Sequence, residues 1–265
     1  NTFLGHEWGI SMENYQNVTI NGNSFTPIAA STTYRHITVN TKEFSSASGF
    51  YPPVVGATIT NNTFFGSGAP GGIGLAFYNG DNDAPVYNSF TLGSAGNENN
   101  FDGTIGTYIY LDGQTGPTAA PVTTMAPWAV NLDAQNNTFA GLNPGAMSLT
   151  QLFAVEDKIV HKIDNSVLGF VLVKPGHDFV TVNSFSSPAT TQASVQRGVD
   201  AADSGFTVNV AAGTYNEVNV KINKPLTLLG AQANVACGSR GAESIVQDLT
   251  NSGLPVFTIN SDDVT

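Results

Sequence analysis

A short motif returns along the first half of this chain: a polar, asparagine-containing turn that closes on phenylalanine. It occupies Val18–Phe25, His36–Phe44, Ala57–Phe64, Asn97–Phe101 and Asn131–Phe139. Three of these stretches carry a β-branched run before the turn. A chain that rewrites one strand and one turn is expected to coil on itself, because each copy then meets a like neighbour.

The spacing fits a coil. Phe3, Phe25, Phe44 and Phe64 follow one another at steps of 22, 19 and 20 residues. That is roughly the length of one rung of three short strands and their turns in a right-handed parallel β-helix. Equivalent side chains would then lie over one another at the inter-strand distance of about 4.8 Å. Phe3, Phe25, Phe44, Phe64 and Phe139 are the expected interior stack. Asn23, Asn62 and Asn137 are the expected amide ladder at the turns, where asparagine also tolerates left-handed backbone. The fold class is all-β, with a small α/β junction between two β-helix pieces.

Composition agrees with a stacked-strand surface. Only 11% of the 265 residues are charged, against about 25% in ordinary soluble domains. Asn, Thr, Ser and Gly take their place. Nine basic residues against twenty acidic ones give a net charge of −11. Such a surface has no basic footprint for nucleic acid or anionic membrane, and it is compatible with weak divalent-cation binding. One cysteine, Cys237, rules out an intrachain disulfide. No apolar run approaches the ~18–20 residues of a membrane span in this segment.

Residues 1–145 read as the C-terminal part of a β-helix. Strands are expected at Val18–Ile20, Ile37–Val39, Ala57–Thr60, Ile73–Tyr78, Tyr108–Leu111 and Trp128–Leu132. Phe65–Gly72 and Gly113–Pro127 interrupt them as insertions. Residues 146–193 read as a helix–hairpin junction. Its helix is capped by Ser148, and Glu156-Asp157-Lys158 is expected to face solvent. Leu168–Val173 and Phe179–Val182 form the hairpin. Residues 194–265 open with an amphipathic helix, Ser194–Ala202, that would cap the first rungs of a second β-helix. There Val208, Leu228, Ile245 and Val264 recur at steps of 20, 17 and 19.

The termini carry a further expectation. Val264-Thr265 matches Val18-Thr19, and Asn1-Thr2-Phe3 matches Asn23-Ser24-Phe25. The chain is therefore expected to be one period of a tandem array, part of a longer polypeptide whose export signal lies elsewhere.

The stretch Val195–Glu217 with Lys224–Ala231 resembles the opening rung of many right-handed parallel β-helix proteins. Leu152–Asp164 with Leu168–Lys174 is similar to linkers in very large repeat-containing surface proteins of Bacteroidota. That resemblance implies an exported, extracellular, cell-surface adhesin or filament. Its partners would be neighbouring repeats of the same polypeptide, surface glycans or other cells.

The rival expectation is a polysaccharide-active β-helix, either an enzyme or its carbohydrate-binding domain. Gly213-x-Tyr215-x-Glu217 resembles an early motif of pectin methylesterases, but that family's later aspartate and arginine motifs are not found. Gly5-His-Glu7 and Gly176-His-Asp178 do not match the Gly-His-Gly of polygalacturonases. Glu217 reads as a solvated turn residue. His6, Glu7 and Trp8 form either a sugar-stacking cluster or a plain rung edge. Asp81 and Asp83 are the expected ligands if calcium is bound; no other cofactor is implied. Asn17, Asn61 and Asn136 stand in N-x-[ST] sequons, read as ladder residues or as glycosylation acceptors.

Overall fold

Runs of β-branched and aromatic residues, bounded by Asn, Gly and Pro, become short strands that pair in parallel. The computed structural model describes residues 1–13, 17–40, 56–79, 89–115 and 125–265. Phe44, Asp81 and Asp83 lie outside them, as does most of 113–127. The protein is mostly β, with stacked parallel sheets, an arrangement compatible with a β-solenoid. Two compact units divide it: Asn1–Met147 with Val167–Val173, and Ser148–Ser166 with Lys174–Thr265. The stretch 146–193 is thus shared between them.

In the first unit, one sheet is β1 (Thr2–His6), β4 (Ser24–Pro27), β7 (Thr63–Phe64), β10 (Asn99–Phe101) and β13 (Asn137–Phe139). Its register places Phe3 on Phe25, Phe25 on Phe64, Phe64 on Phe101 and Phe101 on Phe139. A second run is β2 (Trp8–Glu13), β5 (Arg35–Asn40), β8 (Ile73–Tyr78) and β11 (Thr107–Leu111). It lines up Ile10, Ile37, Leu75 and Ile109, and beside them Met12, Val39, Phe77 and Leu111. A third is β3 (Val18–Asn21), β6 (Gly56–Thr60) and β9 (Ser89–Leu92), which aligns Ile20, Ile59 and Leu92. β12 (Leu132–Asp133) pairs with β15 (Val171–Leu172). Within each of these runs a strand pairs with the one three places further along the chain.

The rung length differs from the expected one. Phe25 pairs directly with Phe64, 39 residues on. Ladder asparagines are separated by 22, then 39, 37 and 38 residues. A step near 20 therefore holds only once. The added length lies in residues 41–55, 79–88 and 112–131 of the sequence. Trp128 is fully buried but precedes the strand expected to include it.

The second unit starts with α1 (Leu149–Glu156) and β14 (Ile159–Val160). Ser148 Oγ accepts from Gln151 N, and Gln151 Oε1 accepts from Ser148 N, a reciprocal cap. Glu156 departs from expectation: it is buried, not solvated, because His161 receives it. Of the expected hairpin only one antiparallel bridge, Lys174 to His177, is present. β15 pairs with β12, whereas β16 (His177–Val180) pairs with β17 (Thr207–Val210), and β17 with β20 (Thr227–Leu229). β18 (Gly213–Asn216) pairs with β21 (Ser244–Gln247), and β19 (Val220–Ile222) with β22 (Phe257–Ile259). Val208 does lie against Leu228, but Ile245 meets Thr214 in another sheet and Val264 bridges Leu226. The 17- and 19-residue steps thus mixed two different faces.

α2 (Val195–Ala201) packs on β16 and β17 through Gly198. A Cβ there would sit 2.3 Å from Val180 Cγ2, so only glycine lets the helix approach this closely. Glu217 is not a free turn residue: its carboxylate accepts from Ser194 Oγ and Val195 N and holds the start of α2.

Candidate functional surface and ladders

The asparagine at each turn of the first sheet points its amide along the stack. Asn1 Nδ2 donates to Asn23 Oδ1 at 3.2 Å, Asn23 to Asn62 at 3.0 Å, Asn62 to Asn99 at 3.0 Å and Asn99 to Asn137 at 2.9 Å. Asn23, Asn62, Asn99 and Asn137 are buried. Backbone groups complete them: Asn62 Nδ2 also donates to Ile20 O and Thr60 O, and its Oδ1 accepts from Asn23 N. A buried amide is tolerable only when its polar atoms are met in this way. Asn23, Asn62 and Asn137 do not carry the left-handed backbone expected of them. Before Asn23 and Asn62 it sits one residue earlier, at Gly22 (φ 68°) and Asn61 (φ 54°).

Beside the amides runs the ring column. Phe3 and Phe25 are 4.6 Å apart and 3° from parallel; Phe101 and Phe139 are 5.3 Å apart and 13° from parallel. Phe25, Phe64, Phe101 and Phe139 are wholly buried. His36 enters this core. Its Nε2 faces Phe65 O at 2.9 Å and its Nδ1 faces His6 Nε2 at 2.9 Å. A carbonyl only accepts, so His36 Nε2 carries the proton and His6 Nε2 donates to His36 Nδ1. Burial, reinforced by His6, lowers the His36 pKa to about 3.

The expected His6–Glu7–Trp8 cluster is split. Gly5, in left-handed backbone at the bulge in β1, turns His6 toward His36, while Glu7 and Trp8 face solvent. Trp8 joins a different group. The Arg35 guanidinium lies 4.9 Å over the Trp8 ring and 5.2 Å over the Tyr78 ring, and Tyr78 lies 5.9 Å from Tyr110. Tyr110 donates to Asp112 Oδ1 at 3.0 Å. Burial, above all, raises the Asp112 pKa. Nothing in the sequence motif marked Arg35.

The second unit buries a charged group at Glu156 and His161. His161 Nε2 lies 2.6 Å from Glu156 Oε1, and His161 N donates to Asp164 Oδ2 at 2.9 Å. Both carboxylate oxygens of Asp178 are buried without a hydrogen-bond partner. Burial lifts Asp164 to about 7 and Asp178 to about 8. Burial alone would lower His161, but Glu156, Asp164 and Asp178 outweigh it and leave it raised. Arg197 ties the surrounding loops, donating to Ile163 O, Ser184 O and Gln192 O.

Of the sequon asparagines, Asn17 and Asn61 are exposed at φ 54°, and Asn136 is half-buried. None is in the ladder; the next residue is, at Asn62 and Asn137. Among the described residues no group of three His, Cys, Asp or Glu side chains is arranged to hold a metal ion, and no helix is long and apolar enough to cross a membrane. Cys237 is exposed. No family model, curated protein or solved structure matches this chain.

Proposed function

We propose that this chain is a structural and adhesive unit of an exported cell-surface repeat protein, wound as a right-handed parallel β-helix. The carrying observation is the buried amide ladder from Asn23 to Asn137 beside its ring column. Both devices stabilise stacking of one rung on the next, which is what a stiff fibre needs. Pairing of each strand with the third one after it supports the helical winding. Right-handedness follows from the strong preference of parallel crossovers for that hand.

A polysaccharide-cleaving site would need accessible carboxylates. Asp112, Asp164 and Asp178, the described carboxyls whose pKa burial raises, are each at most 5% exposed. Electron microscopy of the native assembly tests the structural reading. Regular filaments with an axial repeat matching this chain are expected; compact isolated particles would overturn it.

A further inference from the structure

The group around Trp8 has a chemistry that stacking does not use. Trp8 is 58% exposed, although it is among the largest apolar side chains here. Arg35 is its register partner on the neighbouring strand. The Arg35 guanidinium lies 4.9 Å from the Trp8 ring and 5.2 Å from the Tyr78 ring, contacts that restrain a normally mobile side chain. Among the described residues it makes no ion pair and no side-chain hydrogen bond. Asp112 attracts Arg35 without coming within salt-bridge reach, and its Oδ1 is engaged by Tyr110. The five N–H donors of the guanidinium are therefore held in place and unspent.

We infer that Trp8 and Arg35 form a binding site for a pyranose sugar bearing a carboxylate, the ring stacked on the indole and the carboxylate on the guanidinium fork. This rests on the adhesive reading, for which it supplies the contact chemistry. A planar carboxylate takes two parallel N–H bonds from a guanidinium, and the fork is already oriented, so little side-chain entropy is lost on binding. The exposed indole offers a flat apolar face to the C–H side of a sugar ring. A phosphodiester polymer is disfavoured, because a net charge of −11 repels an extended polyanion. A single carboxylate touching Arg35 is governed by that contact, since more distant charges are screened over ~8 Å at physiological salt.

The test uses the full chain with three probes: an oligosaccharide ending in glucuronic acid, its methyl ester, and the glucose-ended counterpart. Binding is followed by Trp fluorescence. Trp8 is exposed and Trp128 is fully buried, so a contact at this site changes the Trp8 emission. The acid is expected to bind at least ten-fold more tightly than the ester and the neutral sugar. Arg35→Gln should erase the difference between acid and ester, Arg35→Lys should leave part of it, and Trp8→Ala should weaken all three probes. Equal affinity for acid and ester on the unaltered protein overturns the inference, and needs no variant to fold. So does full discrimination by a folded Arg35→Gln. Loss of discrimination in protein that still forms filaments removes this site alone; acid binding by non-filamentous particles removes the fibre and leaves the site.

Discussion

Replacing Asn62 with alanine tests the ladder at its centre. The amide of Asn62 donates to Ile20 O and Thr60 O at 2.9 Å and to Asn99 Oδ1 at 3.0 Å, and accepts from Asn23 N and Asn23 Nδ2 at 3.0 Å. Some of these partners keep a second bond: Asn23 Nδ2 still reaches Asn21 O, and Asn99 Oδ1 still accepts from Asn62 N. The backbone N–H of Asn23 loses its partner. A buried group left unmet costs about 1–3 kcal/mol, so the substitution should destabilise the first unit by about 1–3 kcal/mol. That is a sizeable part of the ~5–15 kcal/mol that holds an ordinary domain together. Both tryptophans, Trp8 and Trp128, lie in this unit, so urea unfolding followed by Trp emission reads it directly. Asn61→Gly is the control. Asn61 is exposed in left-handed backbone, where glycine fits freely, and the change should stay within about 0.5 kcal/mol. A cost below about 1 kcal/mol at Asn62, or equal costs at both positions, would refute the ladder.

The remaining predictions concern pH and the second unit. Folded His36 has its pKa lowered to about 3 from 6.5, so the folded first unit binds fewer protons between these values; its urea midpoint should fall as pH drops from about 6.5 toward 3. Asp164 and Asp178 are raised from 3.8 to about 7 and about 8, so the sign reverses: the second unit should lose stability as pH rises from about 4 to 8. Amide exchange in α1 and β16 should show this, and Asp178→Asn should flatten it. Gly198→Ala, which usually strengthens a helix by about 1 kcal/mol, should here lower the melting temperature, because its Cβ would meet Val180 at 2.3 Å. Glu217→Gln should cost about 1–2 kcal/mol, read as faster amide exchange at the start of α2, as the charged bonds to Ser194 and Val195 weaken.

The recurring Asn-turn-Phe motif made the first sheet legible, since a residue type that must repeat in space also repeats in the sequence. The rung length was not legible, because an Asn-rich chain also places Phe44 near the right distance, while hydrogen-bond register decides which copies meet. Asn99 stands in the motif at Asn97–Phe101, and its place in the ladder shows only once β10 lies between β7 and β13. Glu156 reads as solvated among charged neighbours; only the approach of His161, five residues on, places it inside. Arg35 carries no local signal. Its surroundings are set by two rings, one of them far away in the chain.

The side-chain amides from Asn1 to Asn99 all hand their protons the same way along the sequence, so the row has a sense, like arrows laid tip to tail. The row ends at Asn137, whose Nδ2 donates to Leu92 O and Ala134 O. Leu142 then folds back to exchange bonds with Phe139 on the outer margin of that strand. A stray chain searching for a template would find that border already engaged, which makes the column resistant to runaway growth from its last rung.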